Sequence, residues 1–240
     1  MPIPILPSLV TYEYVKPALT GLGSVPIGIT KNNLNIRTYD YTKGFMHLIS
    51  SKSIEEAAEF ALKIGTQIQG LENVELTILD AEGLSPEGSN YKQMAADFVN
   101  NILYNLDETA TENEETASEK SQSVCMIVGV DRFVNNMQEQ GLDFILTLKK
   151  AKSLGNYTFI IVESVGKLKN HEHSDWYKNC IKSDEGIWVG NGISEQFLIK
   201  IEQTTGRVPG NIGNNFGYVI NKGKILLVKL LEMQEEGEEE

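Results

Sequence analysis

Strand-sized apolar runs alternate here with stretches of helical periodicity, and no other feature limits the possible folds as much. The longest runs, such as Phe159 to Val162 and Ile225 to Val228, are only a few residues long. A bilayer-spanning helix needs about 20 apolar residues in succession, so no span is expected. Met1-Pro-Ile-Pro-Ile-Leu-Pro7 lacks a basic leader and is broken by prolines, so it predicts neither a signal peptide nor an anchor.

Along the chain, residues 1–23 read as a linker that packs on the domain, followed by a short strand at Val25 to Ile29 and a polar turn at Lys31 to Asn33. Phe45 to Ile49 predicts a buried strand, Ser50 to Ser53 a turn, and Ile54 to Ile68 an amphipathic helix. Val74 to Asp80 is a second strand ending in a carboxylate, and Met94, Phe98, Ile102 and Leu106 mark a helix over Asn90 to Leu106. Residues 107–123 are acidic and lack aromatics and long aliphatics, which predicts a disordered surface loop. Further strands are expected at Val124 to Val130, Tyr157 to Val162 and Gly186 to Val189, with one long helix over Phe133 to Lys152, a short one around Trp176 and another over Ser194 to Gln203. Asn215 to Ile220 and Lys224 to Leu231 form a hairpin across Asn221-Lys-Gly223. Residues 233–240 are an acidic, frayed tail. The order predicts one α/β domain over residues 24–232, with a mostly parallel sheet, helices on both faces and a C-terminal antiparallel hairpin. In such sheets ligands bind where strand ends meet helix starts.

Charge narrows the partners. The net charge is −12, the only arginines are Arg37, Arg132 and Arg207, and the lysines read as scattered over solvated helix faces. Nucleic acid is therefore not expected as a partner. Cys125 and Cys180 share no motif and are expected to be free thiols.

Val25-Pro-Ile-Gly-Ile29, the strand through His47-Leu-Ile49 and Leu76-Thr-Ile-Leu-Asp80 resemble, in that order, FtsK/SpoIIIE-type ATPase domains. Strand 124–130 ending at Asp131, Ala151-Lys-Ser-Leu-Gly155 before Tyr157, and the closing Pro209-Gly210, Phe216-Gly-Tyr218 and Gly223-Lys224 continue the similarity over residues 24–232. Within that family the chain is most similar to the last ATPase domain of the membrane-anchored coupling proteins of type VII secretion. The resemblance implies a RecA-like P-loop NTPase fold. It also implies a cytoplasmic domain of a bacterial protein that meets the membrane only through its other parts. The partners implied are secreted WXG100-type proteins and neighbouring ATPase domains of the same chain.

The phosphate-loop equivalent departs from what the chemistry needs. A phosphate nest requires glycines whose N–H groups converge, a lysine for the terminal phosphates and a hydroxyl for magnesium. Ile49-Ser-Ser-Lys-Ser53 keeps Lys52 and Ser53 but has no glycine. Ser53 with Glu56 three residues on also reads as a capping box, and Glu55, Glu56 and Glu59 would repel a triphosphate. Magnesium further needs a carboxylate at the end of the third strand. There Asp131 is either a relic of that group or part of an Asp131-Arg132 surface turn.

Gly190-Asn-Gly-Ile-Ser-Glu195 is a partial dinucleotide fingerprint that lacks its third glycine. His171-Glu-His173 with Asp175 reads as a solvated loop, and no metal site is expected. Lys52, Ser53 and Asp131 are therefore nucleotide-binding relics. No catalytic residue and no cofactor is expected, with ATP and magnesium bound weakly or not at all. Trp176, Tyr177, Trp188 and Phe197 are core residues or, where exposed, anchors for a partner helix. The expected function is a non-hydrolysing domain that binds or regulates secreted proteins. The alternative is an active motor for protein or DNA translocation, completed by neighbouring subunits with Arg132 or Arg207 as a finger, although a finger cannot replace a missing phosphate nest.

Overall fold

Each strand that the apolar runs predict is present in the computed structural model, which describes residues 6–85, 90–111, 121–202, 208–209 and 211–232. The strands are β1 (Val25–Thr30), β2 (Ile36–Tyr39), β3 (Met46–Ser51), β4 (Val74–Asp80), β5 (Gln122–Val128), β6 (Tyr157–Ser164), β7 (Gly186–Val189), β8 (Phe216–Asn221) and β9 (Lys224–Leu230). They form one sheet in the order β2-β1-β9-β8-β7-β3-β6-β5-β4. Strands β7, β3, β6, β5 and β4 run parallel, and β8, β9, β1 and β2 extend that sheet in antiparallel pairs.

The helices are α1 (Tyr12–Val15), α2 (Ile54–Gln69), α3 (Tyr91–Thr111), α4 (Val130–Met137), α5 (Glu139–Ala151), α6 (Val165–Leu168) and α7 (Asp175–Cys180). Successive strand residues point to opposite faces, and β5 shows the consequence. Val124, Met126 and Val128 pack under α2 with Ile64 and Ile68, while Cys125 and Ile127 pack on the other face with Phe98, Phe133 and Phe144. Both faces of the parallel strands are therefore covered, as their continuous apolar character requires.

Several expectations are corrected. The helix expected over Phe133 to Lys152 is two helices, because Gln138 takes a positive φ of 51° and Gly141 lets α5 approach the backbone of Val134. Phe133 and Phe144 then meet edge to face at 5.0 Å, so the apolar phase continues across the break and hides it from periodicity. No helix covers Ser194 to Glu202. Instead the Gln196 side chain takes the carbonyls of Ile193 (3.1 Å) and Ile199 (2.9 Å) and the Ile199 N–H (2.7 Å), and Lys200 N–H donates to Ser183. The region read as an acidic loop over 107–123 is trimmed at both ends, since α3 reaches Thr111 and β5 begins at Gln122. Residues 112–120 and the tail 233–240 lie outside the described residues. Strand β2 escaped the pattern because it is short, half-buried and, among the described strands, paired with β1 alone.

The N-terminal segment packs on the domain as expected. The buried Lys229 ammonium donates to the carbonyls of Pro7 (2.9 Å) and Ser8, and Val10 and Val15 are buried against Ile29 and Leu231. Two predictions follow from the packing. Gly28 lies at a bulge with φ 152°, where a Cβ would lie 2.9 Å from both the Lys229 carbonyl carbon and Val228 Cγ1. Gly28→Ala should cost about 3 kcal/mol in denaturant titrations; an unchanged midpoint would contradict this close approach.

His47 donates from Nε2 to the carbonyls of Tyr41 (2.9 Å) and Gly44 (3.1 Å), and burial holds its pKa below the ordinary value, with Lys182 adding to the effect. Below about pH 6.5 the unfolded chain takes up a proton that the buried ring refuses. Stability should therefore fall as pH drops through that value toward the depressed one, and His47→Gln should flatten this part of the melting profile.

Candidate functional site

The carboxyl ends of β3, β4, β5, β6 and β7 converge on one end of the sheet, where an α/β fold of this kind places its ligands. Strand β3 runs to Ser51 and α2 starts at Ile54, so Lys52 and Ser53 are the whole connection. The predicted turn at Ser50 to Ser53 is shortened accordingly. Ser50 donates to the Glu163 carbonyl at 2.7 Å, which ties β3 to β6. Ser51 donates to Glu56 at 2.7 Å and accepts from Ser53 N–H at 3.2 Å.

This pair corrects the predicted capping box. Ser53 occupies the N-cap position but its side chain makes no cap hydrogen bond; its hydroxyl turns to Glu55. That bond holds the exposed Glu55 carboxyl below its ordinary value. Glu56 reaches back past Ser53 to Ser51, because the strand end lies closer than the cap. Lys52 arches over Gly192 and is ion-paired with Glu195. Gly190, in the same loop after β7, lies against Glu56, whose Oε2 would be 2.8 Å from a Cβ there. The glycines of the partial fingerprint therefore make room for Lys52 and Glu56, and the segment opens into a short 3-10 turn at Ile193–Glu195.

At the end of β5 the third-strand position is occupied by Gly129, with a φ of 73°. The Glu82 side chain lies over it, bound to Arg132 Nε (3.1 Å) and Lys167 Nζ (2.6 Å) and only 7% exposed. The hydrogen bond from Lys167 to Glu82 raises the lysine pKa. Asp131 begins α4 and turns away, accepting from His171 Nε2 (3.0 Å) and Asn170 (3.1 Å). It is neither a surface turn nor directed at Lys52. His171 is buried against Trp176, which corrects its reading as a solvated loop residue, while His173 is exposed.

Glu163, at the end of β6, is fully buried and accepts from the N–H groups of Asp131 (3.0 Å) and Ser164 (2.8 Å). Burial pushes its carboxyl up, and those donors pull against the shift. Asp80 is also used locally, accepting from the N–H groups of Glu82, Gly83 and Ser85. Glu82 and Glu163 were missed in the sequence, the first in a polar loop and the second inside an apolar run; a charge in such a run was the one available signal. Each carboxylate at this end is thus held by the protein's own donors. Among the described residues, no three His, Cys, Asp or Glu groups converge in a way that could hold a metal.

Beside this end lies a groove of about 620 Å³, lined by Val165, Tyr177, Ile181, Phe197 and Leu198 and edged by lysines. Phe197 is 94% exposed. Trp176, Tyr177 and Trp188 are buried, the core alternative of the sequence reading, although Tyr177 also forms part of the groove wall; Trp188 Nε1 donates to the carbonyls of Gly190 (3.1 Å) and Asn191 (3.2 Å). Arg207 lies outside the described residues.

The sequence matches no family model and no curated protein. Solved structures do match. EssC (ATPases 2 and 3) from Geobacillus thermodenitrificans superposes with a TM-score of 0.74 at 17% identity, covering 97% of this chain and 46% of that one. The chain has the fold of a type VII secretion ATPase domain. Thermomonospora curvata EccC (ATPases 2 and 3), solved in complex with a signal sequence peptide, gives a TM-score of 0.69 at 14% identity, covering 98% of this chain and 45% of that one. The conjugation coupling protein TcpA with ATPγS gives 0.59 at 12% identity, covering 95% and 70%. The RecA-like α/β fold expected from the sequence is the fold observed, and this chain spans just under half the length of the two secretion structures. No helix among the described residues is long and apolar enough to cross a membrane.

The clamp over Gly129 is open to a direct test. Glu82→Ala should cost on the order of 1 to 2 kcal/mol, because it takes the shared, nearly buried carboxylate away from Arg132 and Lys167, whose charged ends are already partly wet. Chemical denaturation measures it, and a variant as stable as the parent would show that the clamp contributes nothing.

Proposed function

We propose that this chain is a non-hydrolysing ATPase-like domain of a type VII secretion coupling protein of the EssC kind, which binds or regulates secreted proteins. The observation that carries the reading is the junction of β3 and α2. Two residues connect the elements, neither is glycine, and the one lysine is held by Glu195. A triphosphate at that helix start would meet Glu55, Glu56 and Glu59 instead of a nest of N–H groups. No cofactor is assigned to the domain, and Lys52, Ser53 and Asp131 are relics that serve local structure.

The partners are WXG100-type secreted proteins and adjacent ATPase domains of one longer chain, on the cytoplasmic side of a membrane that other segments reach. Two features support this reading: the tandem domains and the bound signal peptide of the EccC structure, and a groove in this chain whose rim carries a bare phenylalanine. Phe197 takes the anchoring role. A single contact of this size must offset lost translational freedom, so affinity of the isolated domain is micromolar or weaker until linked domains add to it.

Millimolar magnesium-ATP should leave the melting temperature unchanged, since a ligand stabilises only by binding the folded state. A rise of several degrees would overturn the non-binding assignment. A WXG100-type dimer should bind the domain and lose about tenfold in affinity with Phe197→Ala; equal binding by parent and variant would remove Phe197 from the docking surface.

A further inference from the structure

The net charge of −12 conceals a local reversal of sign. At the amino-terminal end of the parallel strands, Lys149 and Lys152 come from the end of α5, and Lys178 and Lys182 come from α7 and the segment after it. They surround a cavity of about 300 Å³ whose walls include Phe45, Met46, Asn179 and Cys180. Lys152, Lys178 and Lys182 line it directly, and Lys149 lies close enough to act on Cys180. Burial raises the Cys180 thiol, and the Lys149 and Lys152 ammoniums oppose that rise.

Lys182 is paired with Glu185 at 2.7 Å. The side-chain ammoniums of Lys149, Lys152 and Lys178 make no hydrogen bond or ion pair with the described residues, although the chain is rich in carboxylates. The carboxyl ends of α5 and α7 both point here, and a helix end carries about half a negative charge. Together with Glu185 they leave roughly two positive charges unmatched around the cavity.

We propose that this cavity binds a small polyanion with two or more adjacent oxyanion charges, such as a diphosphate or a polycarboxylate. Lysine ammoniums are mobile point charges with three donors each, suited to several oxygens at variable spacing. The Asn179 amide adds neutral donors, and the volume is at the lower end of small-molecule sites. The site is separate from the β3–α2 junction. Gly44 to Leu48 lie at the start of β3 and Lys52 follows its end, about 20 Å away along a strand of this length. It does not depend on the functional reading above.

Calorimetry with inorganic pyrophosphate and with citrate, each against acetate at matched ionic strength, tests the assignment. At least one of the two should bind saturably with one-to-one stoichiometry where acetate does not, and the tighter of the two identifies phosphate or carboxylate as the preferred group. The Lys152→Ala/Lys178→Ala double variant should weaken that binding at least tenfold, and Lys52→Ala should leave it unchanged. Both lysines of the double variant are exposed, and a melting curve without ligand checks that it remains folded. Absence of saturable binding, equal affinity in the double variant, or loss of binding with Lys52→Ala would each overturn the proposal.

Discussion

Strand β3 is the element on which the rest depends. It lies between β6 and β7, pairs in parallel with both, and so ties β7, the strand from which the antiparallel extension starts, to the rest of the parallel sheet. Every residue from Met46 to Ser51 is buried, so each polar group on it must find a partner inside the protein. Ser50 finds the Glu163 carbonyl and Ser51 finds Glu56. These two bonds fix how β3 ends and how α2 begins, and the hydroxyl of Ser51 holds the start of the helix in place of a longer loop.

That solution has a chemical consequence. Ser51 takes the Ser53 N–H, and Glu55 and Glu56 in the first turn of α2 complement the helix dipole themselves and repel an anion there. The same pattern recurs around the end of the sheet. Glu82 is clamped by Arg132 and Lys167, Asp131 by His171 and Asn170, and Glu163 by two backbone donors. Groups whose types suit phosphate and magnesium chemistry are thereby turned to cohesion. Their mutual pairing stabilises the loops and leaves few of them free to reorganise around a ligand.

Surface charge follows a different logic at the opposite end of the sheet. Lysines that look dispersed along the chain are gathered because α5 and α7 finish beside each other, and the carboxyl end of a helix favours cations. Net charge describes long-range steering. It says little about a cavity a few ångströms across, where Lys152, Lys178, Lys182 and Glu185 on the wall, with Lys149 beside them, decide the sign.

Local periodicity determined the element order, the hairpin at Asn221-Lys-Gly223 and the covered parallel strands, because the strand and helix repeats are properties of neighbouring residues. The missing glycines of the β3–α2 junction were legible for the same reason. The split between α4 and α5 was not, since the apolar phase runs through Gln138. Nor was the irregular path after Glu195, where the Gln196 amide displaces backbone bonds. The pairing of Lys52 with Glu195 across 143 positions, of Lys167 with Glu82 across 85, and the burial of Trp176 and Trp188 were decided only by the tertiary structure. Which charges meet depends on where the sheet brings strand ends together, and no repeat in the sequence encodes that distance.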